Sequence, residues 1–132
     1  MERDELTYCV YAIRCKANGK VYIGISKDVE KRIKQHWYEK RQLVRASQNP
    51  KYPGKPSQFV SDFAAYESEG FEVYVLERDI PARISRRRED YWICEYQSDN
   101  PRYGYNRARS WSEPDTNIIY ALPPNLSKSK EE

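Results

Sequence analysis

"CVYAIRCKANGKVYIGIS", residues 9–26, decides how this chain folds. Two runs rich in Val, Ile and Tyr flank Asn18-Gly19, a dipeptide that favours the tight turn of a β-hairpin. Side chains alternate faces along a strand, so a two-residue turn would set Cys15 opposite Tyr22 and Ile13 opposite Gly24. Tyr11, Lys20 and Tyr22 then share one face, and Gly24 leaves room for something to approach. Val10, Ala12, Val21, Ile23 and Ile25 share the other face, which reads as the core. A turn longer by one residue would break this parity. The first face raises a question, because two phenols and an amine stand where a hairpin core would use valine or leucine. Tyrosine favours strands and often sits half-buried there. A nearby ammonium would also favour phenolate, lowering a tyrosine pKa from about 10 and preparing a general base. Both readings are open from the hairpin alone.

Outward from the hairpin, Asp28 can cap a helix over residues 29–44 whose apolar stripe is Val29, Ile33, Trp37 and Val44. "SQNPKYPGKPS", residues 47–57, is a Pro/Gly loop. Ser57 can cap a second helix through Tyr66, with Phe59, Phe63 and Tyr66 on one side, and Gly70 ends that segment. Residues 71–76 alternate as a third strand. Pro81 opens a third helix over residues 82–96. "DNPRYGYN" is a turn region. The order strand, strand, helix, helix, strand, helix predicts a small α+β domain with a three-stranded antiparallel sheet flanked by helices. One domain over residues 1–110 is expected, followed by an extended, partly disordered tail, 111–132.

Composition narrows the function classes. Apolar residues make up 39% of the 132 and aromatics 14%, enough for one core without staples. The three cysteines show no CxxC spacing, which argues against a disulfide framework or a zinc site and for a reducing compartment. No apolar run reaches the roughly 18 residues of a membrane span, and the N-terminus lacks a signal core. A soluble cytoplasmic protein with no membrane partner is expected. Net charge is only +3, but its distribution is uneven. Residues 31–45 hold Lys31, Arg32, Lys34, His36, Lys40, Arg41 and Arg45, and residues 83–88 hold four arginines. A charge run is usually a solvated helix face. Two such runs beside polar chemistry favour nucleic acid.

Three further residues stand out. Arg32 and His36 are four apart and share a helix face beside the apolar stripe. Such a pair is often surface decoration, but near the tyrosine face it would supply a fixed cation and a titratable donor for a developing phosphorane charge. Glu89 is in register with Trp92, Ile93 and Tyr96, so it falls on an apolar stripe where an unpaired carboxylate is costly. It either pairs with a nearby arginine or holds a hard divalent cation, since Mg²⁺ is often bound by one or two carboxylates plus water and substrate phosphate. Asn106 follows a glycine turn, where asparagine usually bonds its own backbone.

These residues together resemble the GIY-YIG nuclease family. "CVY" ending at Tyr11, "YIG" beginning at Tyr22, "KRIKQHW" with Arg32 and His36, "REDYWI" with Glu89 and "GYN" with Asn106 stand in the family's order, across residues 8–107. Cys9 replaces the first glycine of the motif, and Ala12 follows Tyr11. The resemblance implies metal-dependent hydrolysis of a DNA phosphodiester, with a single Mg²⁺ or Mn²⁺ ion. Tyr11 would be the general base for the attacking water, with Lys20 assisting. Tyr22 and His36 would hydrogen-bond the site or the scissile phosphate, Arg32 would stabilise the transition state, Glu89 would bind the metal, and Asn106 would organise the site. DNA contacts would come from Lys27, Lys31, Lys34, Lys40 and Arg41, and from Lys51 and Lys55 in the loop. Two rivals stand beside this reading. One is a catalytically weak family member that binds nucleic acid. The other is a protein-interaction module of the phage-inhibitor kind, using the tail. As a nuclease the chain would be free-standing: restriction-like, mobile-element-associated or phage-encoded. It would have low sequence specificity unless it forms a homodimer.

Overall fold

The protein, seen in a computed structural model, is described over residues 6–51 and 54–107, so the expected tail at 111–132 and the domain boundary at 110 lie outside the described residues. Strands β1 (Thr7–Cys15), β2 (Val21–Ser26) and β3 (Phe71–Pro81) form one antiparallel sheet in the order β2-β1-β3. Helices α1 (Val29–Ser47), α2 (Gln58–Tyr66) and α3 (Ser85–Tyr96) flank it. The architecture is the α+β arrangement that the element order predicts.

Local chemistry sets the helix starts. Asp28 accepts from the Lys31 amide and Ser57 from the Val60 amide, each satisfying one of the orphan donors of a first turn. The third helix starts differently from its sequence-based expectation. Pro81 ends β3 instead of opening a helix, because the first residues of β1 continue to pair: Thr7 with Pro81 and Tyr8 with Ile80. A 3-10 turn, Ala82–Ile84, follows, and α3 begins only at Ser85 without a side-chain cap. Glu77 of β3 instead ties the helix down, accepting from Arg88 Nε at 2.9 Å and Trp92 Nε1 at 2.9 Å. β3 is accordingly longer than residues 71–76. It reaches Pro81 through register shifts near Glu77, with Asp79 at φ +59°.

The hairpin register also needs correction. Tyr11 faces Gly24 and Ile13 faces Tyr22, two residues away from the pairing that a two-residue turn would impose. The Cys15 amide bonds the Lys20 carbonyl, and Gly19, at φ +77°, bonds back to the Cys15 carbonyl. The connection is therefore the four residues 16–19. Asn18 is engaged on both sides within this connection: its amide donates to Asp62 on α2 at 2.8 Å while its oxygen accepts from the Lys20 amide at 2.9 Å. A two-residue I′ turn needs positive φ at both central residues, and only Gly19 of the pair has it. The shift is even, so the parity of faces survives.

Both faces of the sheet are buried, not one. Val10, Ala12, Val21, Ile23, Tyr74 and Ile80 pack under α3 against Ile93 and Tyr96. Tyr11, Ile13 and Cys15 pack on the other face with Phe59, Phe63 and Phe71, closed over by Ile33 and Trp37 of α1. The aromatic residues fill this second layer: Trp37 stacks on Phe63 at 5.5 Å, and Phe59 meets Phe71 at 5.7 Å. Full burial of an isoleucine such as Ile13 or Ile23 contributes roughly 1.5–3 kcal/mol. Tyr66, placed on the α2 stripe by spacing, is instead exposed.

Candidate active site

The central strand β1 carries Tyr11 into the layer beneath α1, where it is 1% exposed. Its ring lies across Gly24 of β2. A Cβ added at residue 24 would meet the Tyr11 hydroxyl oxygen at 2.5 Å, so only glycine admits this phenol. The hydroxyl lies 2.8 Å from His36 Nε2. Tyr22, two residues before Gly24, brings its ring within 5.1 Å of His36 and 6.3 Å of Tyr11. The three rings form one cluster, walled by Phe59 of α2.

Burial sets the electrostatics of the cluster. Desolvation raises the Tyr11 pKa above its ordinary value, and Tyr22 adds to this. The Arg32 guanidinium opposes the shift at both phenols without cancelling it. The Glu89 carboxylate, on α3, is close enough to push both phenols up. His36 is pushed down to about 3, first by burial and then by Arg32 and Lys40, so the imidazole is neutral. Its Nδ1 is buried with no hydrogen-bond partner. The Tyr11–His36 pair is therefore a protonated phenol against a neutral imidazole.

Arg32 donates to Gln35 Oε1 at 3.4 Å and lies 3.7 Å from Glu39, a part-exposed ion pair of little energetic weight. Lys40 lies one turn beyond His36 with its ammonium 4.3 Å above the Phe59 ring, and burial lowers its pKa. Arg32, His36 and Lys40 thus form a row on α1 beside the phenols. Asn106 clamps the free edge of β2: its oxygen accepts from the Ile23 amide at 2.8 Å, and its amide donates to the Ile23 carbonyl at 2.9 Å. The backbone carbonyl of Tyr103 accepts from the Val21 amide and the Tyr105 amide donates to the Val21 carbonyl, so this segment partners the outer edge of β2 at Val21 and Ile23, on either side of Tyr22.

Lys20 is not gathered into this cluster. Its ammonium donates to the Pro101 carbonyl at 2.7 Å. The phenol pKa values move up, opposite to the effect expected of a neighbouring ammonium. Lys27, Lys31, Lys34, Arg41, Lys51 and Lys55 are exposed, and Lys40 is half-buried.

Sequence reasoning missed Asp62. It is buried on α2 and accepts from Asn18, from Gln58 at 2.8 Å, and from the Tyr105 hydroxyl at 2.5 Å. Tyr105 in turn stacks on Phe59 at 4.5 Å. The signal was available, since Asp62 stands three residues after Phe59 and next to Phe63, a carboxylate in register with an apolar stripe, as Glu89 is.

The donor set bears on the metal. Among the described residues no group of three His, Cys, Asp or Glu could hold an ion, so a zinc-type cage does not fit. A hard cation that needs one carboxylate and takes its remaining ligands from water and phosphate fits Glu89.

The site thus gathers the buried Tyr11 and half-buried Tyr22, His36 and Arg32 of α1, and the charge of Glu89 from α3. The GIY-YIG catalytic domain profile matches residues 7–106, and the chain belongs to that family. Two solved structures resemble it. The catalytic domain of the homing endonuclease I-TevI is 30% identical, with a TM-score of 0.59 over 77% of this chain and 99% of that one. A point mutant of the intron endonuclease I-TevI catalytic domain is 27% identical, with a TM-score of 0.58 over 80% and 99%. No curated protein matched the sequence. The chain is an endonuclease by family and by fold. No helix among the described residues is long and apolar enough to cross a membrane.

Proposed function

We propose that this endonuclease hydrolyses DNA phosphodiester bonds with one Mg²⁺ or Mn²⁺ ion held by Glu89. The observation that carries the reading is the Tyr11–His36 hydrogen bond of 2.8 Å, set beside Tyr22 and under the charges of Arg32 and Glu89. When bound, the ion supplies positive charge to the phosphate oxygens. The protein residues do the rest.

Tyr11 cannot start as phenolate, because burial keeps it protonated. It works instead as one link of a relay. The attacking water gives its proton to the Tyr11 oxygen as the Tyr11 hydroxyl proton passes to His36 Nε2. The water oxygen bonds phosphorus, the P–O bond in line with it breaks, and solvent returns a proton to the leaving alkoxide. Burial is the first cause that depresses His36, and a phosphate beside Arg32 and Lys40 would offset the smaller part that these two cations add, making the imidazole a better acceptor. Arg32 meets the charge that develops on the phosphorane. Tyr22 donates to a phosphate oxygen, and Asn106 holds the β2 edge that carries Tyr22. Lys20 acts through the loop at Pro101 and supports the turn.

The test is cleavage of supercoiled plasmid with Mg²⁺ or Mn²⁺, beside EDTA and Glu89→Ala. Metal-dependent nicking that disappears in the variant is expected. A folded protein that leaves every DNA form intact with either metal would overturn the proposal.

A further inference from the structure

The cations of α1 divide between two sides of the helix. At about 100° per residue, His36 and Lys40 lie about 40° and 80° around the axis from Arg32, on the side of the phenol cluster. Lys34, Arg41 and Arg45 lie about 160°, 180° and 140° away from Arg32, with Tyr38 about 120° away. Lys31 completes a row at 31, 34, 38, 41 and 45, spaced alternately by three and four residues, along the outward face.

All five side chains are exposed, and Tyr38 is 61% exposed although its neighbour Trp37 packs on the core. A solvated helix face normally interleaves acids that pair with its cations at i±4. On α1, Glu39 turns toward Arg32 and Glu30 lies on the outward side four residues before Lys34, yet among the described residues no carboxylate lies within ion-pair range of Lys31, Lys34, Arg41 or Arg45. Arg41 and Arg45 also border a groove of about 280 Å³ between α1 and α2, lined by Val44, Phe63 and Ala64 and, just past the end of α2, by Glu67. The row rises about 21 Å along the axis at 1.5 Å per residue. Four cations against the single acid Glu30 leave the stripe strongly positive, with an aromatic at its centre.

We propose that this outward face of α1 is a second DNA-binding surface, distinct from the cleavage site, that takes the phosphate backbone of another duplex segment. A polyanion is the complementary partner for four cations that no described carboxylate pairs. A duplex seated at Arg32 would have to wrap α1 to reach Arg41, and DNA is stiff over about 150 base pairs. A separate segment, on the same long molecule or another, reaches the stripe without that bend. The DNA identity of the ligand rests on the nuclease reading above; the separation of the two faces rests on the helix geometry.

The experiment compares binding in EDTA to a short duplex that covers only the scissile site and to one several helical turns long. The variants are Tyr38→Ala/Arg45→Gln and Lys34→Gln/Arg41→Gln/Arg45→Gln, with Arg32→Ala as reference. The stripe variants should bind the long duplex about tenfold or more weakly, and its salt slope should fall by roughly 0.9 for each phosphate that the stripe no longer neutralises. The short duplex should lose much less affinity, whereas Arg32→Ala should weaken both alike. Unchanged affinity and slope on the long duplex would overturn the second surface. So would equal losses on both lengths, which would assign the stripe to the cleavage-site duplex. Wild type that shows the length-dependent effect but never cuts with metal would overturn the nuclease reading and leave the stripe standing. Wild type that binds neither duplex would overturn both.

Discussion

Tyr11 stands directly opposite Gly24, and its hydroxyl occupies the space into which any side chain at residue 24 would project. The glycine of "YIG" is therefore a seat for the tyrosine of "CVY", and the motif's two halves are one packing unit. Gly24→Ala should drive the phenol off His36 at an overpacking cost of about 1–3 kcal/mol. A misplacement of this size at a reacting group costs on the order of 10²-fold in rate. Thermal unfolding beside single-turnover cleavage checks this. A variant that cuts normally would show that the phenol need not sit where it does.

Tyr11→Phe keeps the ring and removes the oxygen. It should fold, lose about 0.5–1.5 kcal/mol for the missing hydrogen bond, and lose cleavage by roughly 10²–10⁴-fold. DNA affinity should change far less than the rate, which separates a proton-transfer role from a binding role. Normal cleavage by the folded variant would refute the relay.

The neutral His36 makes stability depend on pH. Its folded pKa is depressed to about 3 from an ordinary 6.5, so the unfolded chain takes up the proton first as pH falls. The contribution of the neutral imidazole is fully present above pH about 6.5 and declines at on the order of 1 kcal/mol per pH unit as pH drops toward about 3. Denaturant midpoints across that window should slope downward in wild type and flatten in His36→Gln. Titration of the imidazole by NMR should show its pKa rising when DNA binds.

Asp62 gathers three donors from three parts of the chain: the amides of Asn18 and Gln58 and the hydroxyl of Tyr105. Asp62→Ala removes the acceptor of all three, of which the Asn18 and Gln58 amides can turn to water, and should cost roughly 1–3 kcal/mol, whereas Asp62→Asn keeps an acceptor and should cost less. Calorimetric unfolding separates the two variants. Loosening Tyr105 should also free Asn106 from the β2 edge, so Asp62→Ala should expose the Ile23 amide to hydrogen exchange.

Legibility followed the range of the interaction. The caps at Asp28 and Ser57, the α1 stripe, Phe59 and Phe63 of the α2 stripe and the alternation of the hairpin are set within a few residues, so sequence alone determined them. Alternation has period two, which is why the faces of Tyr11 and Tyr22 came out right although the register moved by two. The order of the motif residues was equally legible, and with it the family. Tertiary structure decided what depends on distant partners. The hairpin turn runs over four residues, with Asn18 bound to Asp62, 44 residues on. Lys20 binds Pro101, 81 residues on, and leaves the phenols. Pro81 stays in a strand because Thr7 pairs with it. Tyr11 is buried because helices cover both faces of the sheet, and that burial reverses the pKa shift its neighbours in sequence suggest. Local chemistry names the groups of the site; only their desolvation and long-range hydrogen bonds settle which proton each one holds.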